Sequence, residues 1–121
     1  MSYKFTMPWP PSINGYWRTF RNRQIISKRG RDYRGAAIAH MIDIKLYGEK
    51  LTGPLSVELK LNPPTLRKYD IDNFNKALFD ALSHANFWVD DEQVITLKIV
   101  KGDKVKGGNV ELTVNKLKDL L

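Results

Sequence analysis

One amphipathic segment, residues 70–93, constrains the fold of this chain more than any other stretch. At about 100° of rotation per residue, its apolar side chains fall in one stripe along a helix. The stripe consists of Ile71, Phe74, Leu78, Ala81, Leu82 and Ala85. Because a helix buries such a stripe against other elements, this helix is predicted to cover the core and to leave its polar face open to a ligand.

Carboxylates stand at both ends of this predicted helix. Asp70 or Asp72 is a candidate N-cap, and Asp72 forms an i,i+4 pair with Lys76 on the polar face, beside Asn73 and Asp80. The second acidic pair, Asp90 and Asp91, follows the helix in a turn. The returning chain is expected to bring Asp91 toward Asp70 and Asp72.

Two interpretations of these acidic residues remain open from the pattern alone. Clustered carboxylates repel one another, and a divalent cation relieves that repulsion. Oxygen ligands suit Mg²⁺ or Mn²⁺, which bind through a few carboxylates together with substrate phosphate. Alternatively, the acids only cap a helix, and the Asp72–Lys76 pair is an ordinary solvated surface pair.

Net charge favours a polyanionic partner. The 121 residues suffice for one domain, 1–121, and 20 Lys and Arg against 13 Asp and Glu give a charge of +7. Nucleic acid is therefore the leading candidate partner, although net charge alone governs solubility and association rate.

With no cysteine, thiolate metal sites and cysteine nucleophiles are excluded. No apolar run approaches the ~20 residues of a membrane span, so no membrane partner and a cytoplasmic location are expected.

Alternating apolar residues predict four strands. They lie near 3–7, 55–61, 94–101 and 109–115, with a helix at about 32–47 that Gly48 caps. The last two strands are predicted to pair as a hairpin through the loop GDKVKGG, and the tail LKDLL to form a short helical turn or to fray. The fold class is α/β, α+β-like: a four-stranded mixed sheet with two helices on one face, in the order strand-helix-strand-helix-strand-strand.

The other face of the sheet is predicted to be solvated or to pair with a second subunit. It carries Lys4, Thr6, Glu58, Lys60, Thr96, Lys98, Glu111 and Thr113.

Aromatic and basic residues alternate after the first strand. Prolines predict a non-helical loop over Trp9 to Gly15, and 24–27 is a candidate short strand. Arg18, Arg21 and Arg23 suit contacts with a phosphate backbone. The rings of Trp9, Tyr16 and Trp17 are expected mostly to pack against the sheet rather than to stack on bases.

Three stretches together resemble one known family. MPWPPSINGYWR at the start, DIDNFNKALFDAL in the middle and FWVDDEQV after it resemble the RusA-family Holliday junction resolvases over nearly the whole chain. The resemblance implies a homodimeric endonuclease that binds four-way DNA junctions and cuts two opposed strands with Mg²⁺, in DNA recombination and repair.

The resemblance also implies roles for individual residues. Asp70, Asp72 and Asp91 match the family's metal-binding acids and Lys76 its active-site lysine, with Asn73 and Asp90 in supporting roles. Arg67, Lys68 and Tyr69 are candidate DNA contacts, although the family pattern is more continuously basic there. Two other functions remain open: a non-catalytic DNA-binding module, and a metal-dependent nuclease for flap or duplex DNA.

Overall fold

The computed structural model describes residues 2–117, which form two sheets and three α-helices. The strands are β1 (Ser2–Pro8), β2 (Trp17–Phe20), β3 (Arg23–Ile26), β4 (Leu55–Asn62), β5 (Val94–Lys101) and β6 (Asn109–Lys116). The helices are α1 (Ile13–Tyr16), α2 (Lys28–Asp43) and α3 (Asn75–His84), and a 3₁₀ turn spans Asp91–Gln93. The predicted fold class, a four-stranded mixed sheet with two helices on one face, is confirmed.

The strand order in the large sheet is β1-β6-β4-β5. Strand β6 is antiparallel to both β1 and β4, whereas β4 and β5 are parallel and are joined through α3. The predicted hairpin between β5 and β6 is therefore wrong, because β4 lies between them. Their connection instead crosses the end of β4, where Gly102 N donates to Leu61 O (2.6 Å).

The core lies between one face of this sheet and helices α2 and α3. Alternating residues of β4 and β6 point inward and are buried: Leu55, Val57, Leu59, Leu61, Val110, Leu112 and Val114. On the opposite face, which was predicted to be solvated or to pair with a second subunit, the charged residues Glu58, Lys60, Lys98 and Glu111 are exposed in the single chain. The side chains of α3 that meet the core are Leu78, Phe79, Ala81 and Leu82.

Helix α2 begins and ends four residues earlier than predicted. Ser27 is its N-cap, and the Ser27 hydroxyl accepts a hydrogen bond from Gly30 N, three residues later (3.0 Å). This bond satisfies one of the free N–H groups in the first turn of the helix. The helix ends at Asp43 with Ile44 as C-cap, so Gly48 is not the cap. Its buried side chains are Tyr33, Ala37 and Met41, whereas Ile42 is 56% exposed.

The segment before α2 contains structure that the sequence only partly indicated. The predicted loop over Trp9–Gly15 ends in α1, whose N-cap Ser12 accepts from Gly15 N (3.3 Å). Strands β2 and β3 form a two-stranded ribbon, in which β3 matches the predicted short strand. Gly30 is needed where the ribbon meets α2, because a Cβ there would lie 2.7 Å from Tyr16 O.

Two predictions concern the ends and the surface of the chain. The helical turn or frayed end predicted for LKDLL falls, apart from Leu117, outside the described residues. No helix within residues 2–117 combines the length and the apolar character needed to cross a membrane.

Candidate active site

The acidic turn at Asp90 and Asp91 is held rigidly by backbone and side-chain hydrogen bonds. Asp90 caps the 3₁₀ turn by accepting from Glu92 N (3.1 Å). Gln93 Oε1 accepts from Asp90 N (2.8 Å) and Val89 N (2.9 Å), which completes a capping box. The Gln93 amide also donates to two carbonyl oxygens, of Leu51 (3.0 Å) and Gly53 (2.9 Å). Gln93 was not singled out from the sequence, although a Gln three residues after an Asp is the capping-box signal.

The Asp91 carboxyl lies in an environment that disfavours its charge. Partial burial, followed by a hydrogen bond with Asp90, raises its pKa above the ordinary value of 3.8, and the field of Asp80 acts in the same direction. The ammonium group of Lys76 acts oppositely and lowers it. The charge of Lys76 and the charges of Asp90 and Asp80 therefore act on Asp91 in opposite directions. A cation placed here would relieve the repulsion from these carboxylates.

The first acidic pair lies in a loop rather than on a helix. Helix α3 starts at Asn75, and its N-cap is Phe74 without a side-chain cap bond, so the prediction that Asp70 or Asp72 caps this helix is wrong. Asp70, Ile71 and Asp72 are exposed. The loop is tied down at Asn73, whose carbonyl accepts from Ile13 N (2.7 Å) and whose N–H donates to Asp70 O (3.2 Å).

Lys76 lies in the first turn of α3 and is exposed. Because Asp72 precedes the helix, the predicted i,i+4 pair of Asp72 and Lys76 does not exist as a helical pair. The residue one turn after Lys76 on α3 is Asp80. Within residues 2–117 the structure groups no three Asp, Glu or His side chains closely enough to hold a metal ion. The roles of Asp70, Asp72, Asp91 and Lys76 in catalysis stay predictions.

A basic groove of about 490 Å³ adjoins Asp70. Its lining residues are Arg67, Lys68, Tyr69, Asp70, Asn73 and Lys101. Lys101, at the end of β5, was not singled out from the sequence. Because β4 and β5 are parallel, the loop that follows β4 lies at the same end of the sheet as the last residue of β5. The place of Lys101 beside Arg67 and Lys68 therefore depends on this strand pairing. The groove offers three cations beside an acidic loop.

Tyr69 is packed on the wall of this groove. Its ring meets Phe74 and Trp9 edge-on, at centroid distances of 5.6 and 6.0 Å. Lys101 Nζ lies 4.4 Å from the ring centroid and donates to Tyr69 O (2.7 Å). The ring therefore supports the position of Lys101, while the predicted DNA contact of Tyr69 stays a prediction.

A polar cluster behind the site joins three elements. The Tyr16 hydroxyl, at the end of α1, donates to Asp80 Oδ2, and Arg34 Nη2 on α2 donates to the same oxygen (2.7 Å). Burial alone would raise the pKa of Asp80, but these hydrogen bonds and the Arg34 charge hold it below 3.8. Burial and the bond to Asp80 raise the pKa of Tyr16 to about 12. Asp80 thereby fixes the helix that carries Lys76.

The predicted phosphate-contacting arginines Arg18, Arg21 and Arg23 all lie on the β2–β3 ribbon and are exposed. The nearby rings behave mainly as expected, because Tyr16 is fully buried and Trp9 packs against the core. Trp17 packs edge-on against Tyr16 at a centroid distance of 5.1 Å.

Comparison with known proteins identifies the family. Residues 8–115 match the family model described as endodeoxyribonuclease RusA. The chain is 40% identical over 116 residues to proteins named crossover junction endodeoxyribonuclease RusA from Escherichia coli K12, Enterobacteria phage 82 and Shigella sonnei, with 96% of each chain covered. The acidic turn, the exposed acidic loop, Lys76 and the basic groove thus lie within a match that spans nearly the whole sequence, and the chain belongs to the RusA endodeoxyribonuclease family.

Proposed function

We propose that this chain resolves four-way DNA junctions by Mg²⁺-dependent, paired symmetric nicks, in DNA recombination and repair. The relatives named as crossover junction endodeoxyribonucleases support the substrate class. The observation that carries the chemistry is Asp91, whose carboxyl is hydrogen-bonded to Asp90, faces the charge of Lys76 and has a raised pKa. A carboxyl group whose protonation is perturbed by burial and by neighbouring charges is typical of catalytic sites.

The residues that would hold the metal are Asp70, Asp72 and Asp91. Their donors are all carboxylate oxygens, which fit Mg²⁺, with Mn²⁺ as a substitute. Asp91 is presented by the capped 3₁₀ turn, whereas Asp70 and Asp72 are exposed in the loop that precedes α3. When bound, the ion supplies an activated water and neutralises phosphate charge.

Two neighbouring residues act by supporting these carboxylates. Asp90 holds the backbone of the 3₁₀ turn and hydrogen-bonds Asp91. Asn73 ties the acidic loop to α1 through its carbonyl oxygen.

Lys76 donates to a non-bridging oxygen of the scissile phosphate. Its place in the first turn of α3 leaves its ammonium group exposed to a substrate, and Asp80 anchors the following turn. An ammonium donor there offsets the charge that develops on the phosphate in the transition state.

The basic groove binds the phosphate backbone next to the cleavage point. Arg67, Lys68 and Lys101 line it together with Asp70, so a strand held there passes beside the acidic loop. Such contacts position DNA without reading its sequence. Selectivity for junctions then comes from how phosphates are arranged at the crossover.

The active form is a homodimer. A four-way junction has approximate two-fold symmetry, and two symmetric sites can nick matched strands. One site alone would leave the junction half resolved.

The deciding experiment compares cleavage of a synthetic four-way junction by the wild type, Asp72→Asn and Asp103→Asn. Asp103 is an exposed carboxylate in the β5–β6 connection, so its variant controls for the loss of one negative charge. With Mg²⁺ present, we expect Asp72→Asn to lose cutting while it binds the junction as well as the wild type or more tightly. Asp103→Asn should cut normally.

A linear duplex of the same sequence serves as the competing substrate. Normal cutting by Asp72→Asn would exclude the catalytic role of that residue. Preference for the linear duplex would exclude junction resolution and would leave a metal-dependent nuclease of another specificity.

A further inference from the structure

The β2–β3 ribbon carries a group of side chains for which the proposed cleavage chemistry has no use. Cross-strand pairing sets Arg18 opposite Ile25 and Phe20 opposite Arg23. Since paired residues and every second residue share a face, Arg18, Phe20 and Arg23 lie on the same face of the ribbon. Phe20 is 48% exposed. An exposed phenylalanine flanked by two arginines indicates a binding surface rather than a purely solvated one.

The tip of the ribbon adds a third cation. Arg21 and Asn22 form its two-residue turn with φ values of 49° and 62°, both in the left-handed region typical of a type I′ turn. Asparagine and glycine favour this conformation, whereas an arginine pays a steric cost there. The guanidinium groups of Arg18 and Arg21 lie 5.5 and 5.2 Å from the centre of the Phe20 ring.

The base of the ribbon is fixed while its tip is open. Ser27 N donates to Tyr16 O (2.8 Å), and Ser27 Oγ donates to Gly15 O (2.6 Å). Tyr16 itself is bonded to Asp80 on the helix of Lys76. Beyond this anchor, residues 18–24 are exposed. The ribbon therefore has a defined position relative to α3 and a free aromatic tip.

The positive charge of the ribbon favours a polyanion as its binding partner. No residue from 1 to 31 is acidic, so no carboxylate of this segment competes for the arginines. A two-stranded ribbon fits a DNA groove, and apolar side chains such as Phe enter between base steps and unstack them. Unstacking costs least where the stack is already interrupted, as at the branch point of a junction.

We propose that the β2–β3 ribbon is a DNA-inserting arm: Phe20 enters the branch point and stacks on an exposed base, while Arg18, Arg21 and Arg23 bind the flanking phosphates. This inference rests on the proposed junction substrate and assigns the residue that opens it. The arginine contacts with the Phe20 ring are weak at an exposed site, so DNA can replace them.

The test uses a four-way junction with 2-aminopurine beside the branch point, in a buffer without divalent metal so that binding is seen without cutting. The wild type should raise the fluorescence as it unstacks the base. Phe20→Ala should lose most of this rise and bind about tenfold more weakly, since a stacked ring contributes on that order. Phe20→Trp should restore both signals, and Tyr47→Ala, which removes an exposed ring elsewhere, should behave as the wild type.

A second variant separates charge from stacking. Arg21→Asn keeps the turn geometry and removes one cation, so the slope of log affinity against log salt should fall by about one while the fluorescence rise persists. The melting temperature of Phe20→Ala should match the wild type, because the ring is exposed, and that of Arg21→Asn should be equal or slightly higher, because Asn favours the left-handed conformation of the turn.

Two outcomes would overturn the arm. If Phe20→Ala kept the fluorescence rise and the affinity of the wild type, insertion of Phe20 would be excluded. If Phe20→Ala instead weakened self-association in sedimentation, the ribbon would be a protein–protein contact. In either case junction cutting by the wild type would persist, so the proposed function would stand. If the wild type neither cut nor preferred the junction, the proposed function itself would fail.

Discussion

The two acidic segments of this protein differ in how firmly they are held. The turn at Asp90 and Asp91 is fixed by a capping box and by Gln93, which also bonds two carbonyls of the 51–53 loop. The loop at Asp70 and Asp72 is exposed and is tied mainly through the backbone of Asn73. A site built from one rigid and one adjustable half can present a fixed ligand and close around an ion with the other half.

The largest effect is expected when either half loses its carboxylate. Asp91→Asn and Asp72→Asn should each lower the cleavage rate by about 10²–10³-fold, a loss typical of removing one electrostatic stabiliser. The double variant should be no worse than either single variant, because residues that act as a unit are not additive. Single-turnover cleavage at saturating protein measures this. Additive losses would mean that the two segments act separately.

Loosening the rigid half should lower stability. Gln93→Ala removes the acceptor and the donor of four hydrogen bonds, and we expect the free energy of unfolding to fall by about 2–3 kcal/mol. Gln93→Glu keeps the acceptor and should lose about half as much. Asn73→Ala, in the adjustable half, should change stability by less than about 0.5 kcal/mol. Urea unfolding would measure all three, and equal losses for Gln93→Ala and Asn73→Ala would remove the contrast.

The polar cluster of Tyr16, Arg34 and Asp80 should make a pH-dependent contribution to stability. Because the folded-state pKa of Asp80 lies below 3.8, its ionised form stabilises the fold at higher pH. Asp80→Asn should cost about 1–2 kcal/mol near pH 7. This cost should remain down to about pH 5 and should vanish as the pH falls through the lowered pKa. Thermal unfolding from pH 7 to pH 2.5 measures it, and a gap that widened toward acid would reverse the assignment.

The smallest expected effect is a change in backbone amide hydrogen exchange in the two acidic segments, residues 70–73 and 90–93. In hydrogen exchange, the N–H groups of 90–93 should already be protected without metal, since Gln93 and Asp90 accept from them. Adding Mg²⁺ should slow exchange in 70–73 several-fold and leave 90–93 almost unchanged. A matched experiment with Asp72→Asn should show no slowing in 70–73. Equal slowing in both segments would mean that neither is organised beforehand.

The parts of the fold set by local pattern could be predicted from the sequence. The alternation in 55–61 and 109–115 identifies strands and their inner faces, and the stripe in α3 from Phe74 to Ala85 identifies its buried side. Ile71 was placed on that stripe but is 40% exposed, because the helix begins only at Asn75. Pairing between distant strands has no local signal, so the position of β6 between β1 and β4 was missed.

The same division holds for the candidate site. The acidic and basic residues were recognisable by type and spacing, but their grouping depends on tertiary contacts. Lys101 reaches the groove only because β5 runs parallel to β4, and Asp80 meets Tyr16 and Arg34 only when three helices pack. The predicted helical pair of Asp72 and Lys76 failed because loop geometry ahead of Asn75 overrides a simple count of residues.

The position of β6 has a consequence for biosynthesis. This last strand fills the gap between β1 and β4, so neither neighbour has its full set of backbone partners before Asn109–Lys116 is in place. During translation these residues emerge after every acidic and basic group of the candidate site. The sheet is therefore completed only after residues 1–108 have been synthesised, and its long-range pairing makes folding slow relative to a helical bundle of similar size. A nascent chain stalled before Asn109 should remain without nuclease activity until elongation resumes.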